Sequence, residues 1–167
     1  MSLRDRLKQL SGGIEGLEPE QILDEWREAI DLLFRYISES LKPYIVDNLL
    51  SISKSTIECR EDMFGEYEID SLVIRSGAES VLMLPVGRII AGATGRVDVT
   101  RFGQGGFGYM LLRSGVSPGS TKWSVVGRAP PNRLMPFQVP SLHQGEITTN
   151  DDLSVQKLEV ILEQLFA

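Results

Sequence analysis

The chain has 167 residues, 42% apolar and 24% charged, with a formal net charge of −6. That mixture excludes disorder driven by composition, and a chain of this length can hide roughly 70% of its unfolded surface around one core. A single cysteine, Cys59, rules out an internal disulfide framework and fits a reducing compartment.

The opening residues alternate charge with leucine, and Leu3, Leu7 and Leu10 fall at short-helix spacing. They read as neither a signal peptide nor a membrane span. A cytoplasmic protein with no membrane association is therefore expected. Gly12, Gly13 and Gly16 break this first segment. Glu18-Pro19-Glu20 then opens a long helix, with proline in the first turn and carboxylates where the helix dipole favours them. Ile22, Leu23, Trp26, Ala29, Ile30, Leu33, Phe34, Ile37 and Leu41 form its core-facing stripe. Leu32 and Tyr36 fall off that stripe one turn apart, which marks them as a second contact surface, suited to a protein partner.

After Pro43 the apolar period shortens to two. Strands are expected over Leu49–Glu58, Glu66–Arg75, Ser80–Val86, Arg88–Ala91, Arg96–Phe102, Tyr109–Arg113 and Lys122–Val126, with glycine-rich turns between them. No intervening stretch has the length or period of a crossover helix, so neighbouring strands should pair antiparallel. Residues 129–150 hold four prolines and read as a connection. Thr149-Asn150-Asp151-Asp152 looks like the cap of a last helix, whose apolar face is Val155, Leu158, Ile161, Leu162, Leu165 and Phe166. The expected fold is a single α+β domain over 1–167: a helical part (1–43), a curved or half-barrel β-meander of about six or seven strands (44–128), the proline-rich connection and a C-terminal helix (151–167).

Charge is spread unevenly. Residues 1–85 carry 9 basic and 17 acidic side chains, residues 86–133 carry 7 and 1, and residues 134–167 carry 1 and 5. Arg88, Arg96, Arg101 and Arg128 are the candidate anion-binding group, since guanidinium holds phosphate or carboxylate through paired hydrogen bonds. Asp98 is the lone carboxylate among them, and a hairpin closed by Gly92–Gly95 would set Arg88 across from Asp98 and Thr100. The competing reading pairs these arginines with acids of the same chain. Nucleic acid is the less favoured partner, because the chain as a whole is acidic.

Other motifs resolve to bland chemistry. Phe102 to Gly108 resembles a phosphate cradle but leads into a strand rather than a helix, so it reads as a hairpin turn. His143 stands alone in a loop. Glu66, Glu68 and Asp70 share one strand face opposite Tyr67 and Ile69, as a solvated face would. No catalytic set, metal site or cofactor is therefore assigned. The leading expectation is a small non-enzymatic adaptor or inhibitor that binds another protein, with a homodimer also open. Anion binding through residues 86–133 and a carboxylate-based enzyme are the alternatives.

Overall fold

The computed structural model describes residues 2–4, 7, 16–103, 108–116, 121–128 and 151–167, with backbone only at Arg128 and Asp151. Helix α1 (Pro19–Ser40) starts as its sequence implies. Pro19 occupies the first turn, and the Glu18 N–H donates to Gln21 Oε1 at 3.0 Å. Its buried residues are Ile22, Trp26, Ala29, Ile30, Leu33, Phe34 and Ile37. Each such aliphatic side chain taken from water is worth about 1.5–3 kcal/mol, so this face holds the helix down. A short helix α2 (Lys42–Val46) follows, with Pro43 in its first turn.

Among the described residues seven strands then run in sequence order across one sheet that does not close: β1 (Ser51–Glu61), β2 (Gly65–Ser76), β3 (Glu79–Gly87), β4 (Arg96–Arg101), β5 (Gly108–Ser114), β6 (Lys122–Arg128) and the two-residue β7 (Asp151–Asp152). Every neighbouring pair is antiparallel. Helix α3 (Val155–Phe166) completes the chain, burying Leu158, Ile161, Leu162 and Leu165. The α1 stripe, the α3 face and the inner side chains of the sheet form one core, including Leu72, Ile74, Val81, Met83, Val97, Val99, Tyr109, Leu111 and Val125. This is the expected α+β meander with helices at both ends of the described chain. No described helix is long and apolar enough to cross a membrane.

Three local expectations need correction. Arg88–Ala91 is not a strand: β3 ends at Gly87, and only an isolated bridge, Ile90 to Ala93, follows. The Arg88 and Ile89 amides instead donate to the Glu61 carboxylate at 3.0 and 2.8 Å, which satisfies them without a ladder. The hairpin that would set Arg88 across from Asp98 and Thr100 is likewise absent. β3 itself pairs with β4, placing Leu84 opposite Asp98 and Leu82 opposite Thr100. Finally, the last helix is capped by Ser154, whose hydroxyl accepts from the Lys157 amide at 3.2 Å, while Asp151 and Asp152 pair with β6.

One irregularity shapes the N-terminal half of the sheet. In β2 the buried residues are Tyr67, Ile69 and Ser71, then Leu72 and Ile74. The buried parity changes between Ser71 and Leu72, where pairing with β3 begins at Leu72 opposite Met83. Residues alternate faces along a strand, so the two halves of β2 turn opposite faces toward the same core. The β1–β2 hairpin tip thereby curls back. Cys59 Sγ donates to the Pro85 carbonyl at 3.3 Å, Glu61 reaches the amides after β3, and Arg27 of α1 donates to the Glu68 carbonyl at 2.9 and 3.0 Å.

Candidate functional site

Leu32 and Tyr36 sit on the outer side of α1 and are 52% and 41% exposed. Helical geometry puts them one turn apart on a shared face, as their spacing implies. That face forms one wall of a groove of 430 Å³, together with Leu33. The opposite wall is built from the start of β6 and the residues around β7: Thr121, Lys122, Trp123, Asp152 and Leu153. Pairing of β7 with β6 and a Leu153 N–H bond to the Trp123 carbonyl at 2.8 Å fix this wall. Trp123 is tilted against the buried Trp26, ring centroids 6.3 Å apart, so the indole forms a firm floor. The groove is thus apolar inside, with a cation (Lys122) and an anion (Asp152) among its lining residues.

The arginines go elsewhere, each to a different place. Arg88 is only 2% exposed and its Nε lies 3.1 Å from Glu25 of α1. Arg96 holds Asp98 on its own strand through two bonds of 2.7 and 3.0 Å. Arg101 holds Glu79 at 2.8 Å and donates to the Ala167 carbonyl at 3.0 Å. The Arg128 side chain lies outside the described residues, as do Arg133, His143 and residues 104–107 of the glycine-rich turn. Three of the four proposed anion ligands therefore each hold a carboxylate, and Arg88 is enclosed.

The sharpest electrostatic feature is one the sequence does not announce. Arg113 of β5 is 2% exposed, donates twice to the Thr94 carbonyl at 3.0 and 2.8 Å, and meets Glu25 at 2.6 Å. Its guanidinium lies 5.4 Å from the centre of the Trp26 ring. Glu25 is thus shared by two buried arginines, one just after β3 and one in β5. Burial, then the nearby Arg88 charge, work to lower the Arg113 pKa, while Glu25 works to raise it; the net direction is downward. Nothing in the spacing of residues 25, 88 and 113 could have joined them.

A second cluster gathers Cys59, Glu61 and Tyr67. The Tyr67 hydroxyl donates to Glu61 Oε2, and Glu61 also receives the two amides after β3. Burial pushes the Cys59 thiol up, with the Glu61 charge adding to it. Burial and Glu61 push the Tyr67 phenol up as well. Both shifts keep the groups protonated, the reverse of what a nucleophilic thiolate needs. On the outer face of the same hairpin, Glu66 and Glu68 are exposed and Asp70 half-buried, with Thr56 Oγ1 donating to Asp70 Oδ1 at 3.3 Å.

Comparison with family models, with curated proteins and with solved structures found no match. Function must therefore be read from the groove and from the charge arrangement themselves.

Proposed function

We propose that this protein is a non-enzymatic interaction module, an adaptor or inhibitor, that binds a protein segment in the groove between α1 and β6–β7. The observation that supports this reading is the placement of Leu32 and Tyr36. Both are large, apolar in body and exposed, and they face Trp123 and Leu153 across a formed groove. Aromatic side chains in such a setting bind well, because they bury much area at little cost in conformational entropy. The matching segment carries two or three apolar anchors, flanked by an acidic residue toward Lys122 and a basic one toward Asp152. The titratable clusters support the same view. Glu25 is shared with two arginines of its own chain, and Cys59 and Tyr67 are held protonated, so neither of the latter two is poised for nucleophilic work.

The test is affinity capture from the native host with the wild-type chain and with a Leu32→Glu/Tyr36→Ala variant. The variant must first show wild-type circular dichroism and thermal melting. A partner retained by the wild type and lost by the variant supports the proposal. A partner held equally by both, or no partner at all, overturns it.

A further inference from the structure

Strand β1 pairs with β2 over its full length and, among the described residues, with no strand on its other side. An edge of eleven residues is long for a solvent-facing strand. Natural edges are blunted by proline, by a bulge, by brevity, by a covering element or by charged side chains, and of these β1 carries only the charges. β1 contains no proline or glycine, and its register with β2 is unbroken from Ser51–Arg75 to Glu61–Gly65. All of its residues are exposed or half-buried.

One face of β1 carries Ile52, Lys54, Thr56, Glu58 and Arg60, all but Ile52 exposed. The register sets Glu58 directly across from Glu68, a like-charge pairing that opposes sheet formation. Lys54 stands across from Leu72. Among the described residues neither Lys54 nor Glu58 has an ion pair or side-chain hydrogen bond. A cation beside Glu58 on its open side would offset the repulsion, and β1 itself supplies one.

We propose that β1 is a homotypic docking edge, to which a second copy of the chain adds antiparallel about a two-fold axis at Thr56. A two-fold of this kind keeps each residue facing one on the same side of the sheet, so the axis must pass through a residue. Centred on Ile57, it would oppose Lys54 to the partner's Arg60. Centred on Ser55, it would oppose Lys54 to the partner's Thr56 and Glu58 to the partner's Ile52. Centred on Thr56, it places each Lys54 opposite the partner's Glu58, twice over by symmetry. Of these central registers, that one alone pairs the charges and sets a cation beside the Glu58–Glu68 repulsion. It joins two open sheets into one and involves no residue of the α1 groove.

Sedimentation velocity over a wide concentration range reads the proposal directly. The wild-type chain should dimerise reversibly. Lys54→Glu and Glu58→Lys should each weaken the dimer by roughly tenfold or more, because two attractive cross-strand pairs become repulsive. The double exchange Lys54→Glu/Glu58→Lys should restore it. Oxidation of Thr56→Cys in a Cys59→Ser background should give a covalent dimer, since directly opposed residues bring their Cα atoms to about 4.5–5.5 Å. A monomer at every concentration overturns the proposal and leaves Lys54 as an edge guard. A dimer indifferent to the charge exchange, or one that the Thr56→Cys variant fails to cross-link, overturns it too. Leu32→Glu should leave the dimer unchanged, which separates this surface from the groove.

Discussion

Replacing Glu25 with alanine would leave two guanidinium groups without the carboxylate they share. The Arg88 and Arg113 side chains are 3% and 2% exposed, so little water reaches the guanidinium groups that Glu25, itself 28% exposed, neutralises. Removing one member of a buried ion pair costs about 3–5 kcal/mol. Here Arg113 keeps the Thr94 carbonyl and the Trp26 face, and Glu25 is partly solvated, so the lower end, about 3 kcal/mol, is expected. For a domain of this size that corresponds to a fall in Tm of roughly 6–12 °C. Urea unfolding at pH 7 followed by tryptophan fluorescence measures it, since Trp26 lies against Arg113. The midpoint should drop while the denaturant slope stays fixed. A companion variant, Glu25→Leu/Arg88→Met/Arg113→Met, removes all three charges together and should fall much less, because the desolvation cost disappears with them. A Glu25→Ala loss below about 1 kcal/mol, or a triple variant weaker than the single one, would refute the reasoning.

Gly95→Ala should destabilise strongly, by about 3 kcal/mol or more, because the added methyl would overlap the Trp26 ring and the backbone there has φ of 153°; thermal melting gives the value, and near wild-type Tm would show that the helix can shift aside. Stability should fall as pH rises above about 9, since the Cys59 thiol titrates above its ordinary 9.0 in the fold and the unfolded chain releases that proton first. Tyr67 continues the same trend above 10. Cys59→Ser should move the onset of this decline from about pH 9 to about pH 10 in urea titrations across that range. An unchanged onset would remove Cys59 from the account.

The helices were legible because a single period governs each. The α1 stripe from Ile22 to Leu41 and the α3 face from Leu158 to Leu165 are buried where their 3.6-residue spacing places them. Antiparallel pairing followed as readily from the short, glycine-punctuated connections. The failures have a common cause in long-range competition. Ile89 and Ile90 look like strand residues, but the Glu61 carboxylate, 28 positions before Ile89, takes the amide that a ladder would have used. Ser154 outcompeted the more suggestive Asn150-Asp151-Asp152 run because pairing with β6 claimed the two aspartates. Of the groove, only the α1 side could be read. Leu32 and Tyr36 stand out by leaving a clear stripe, whereas Lys122, Trp123 and Leu153 become neighbours only through the pairing of β7 with β6. The arginine block was visible as composition, but which carboxylate each member would hold is a property of the folded chain alone.

The grip on α1 also has a consequence in time. Glu25 precedes Arg88 by 63 residues, and Arg113 lies further on still. At a synthesis rate of about 5–20 residues per second, the apolar stripe of this helix leaves the ribosome roughly 3–13 seconds before its ionic latch beyond β3 exists. During that interval β1, β2 and β3 emerge, but Gly95 and Arg113, which lie against Trp26, do not. The packing around Trp26 is therefore complete only once β5 has emerged.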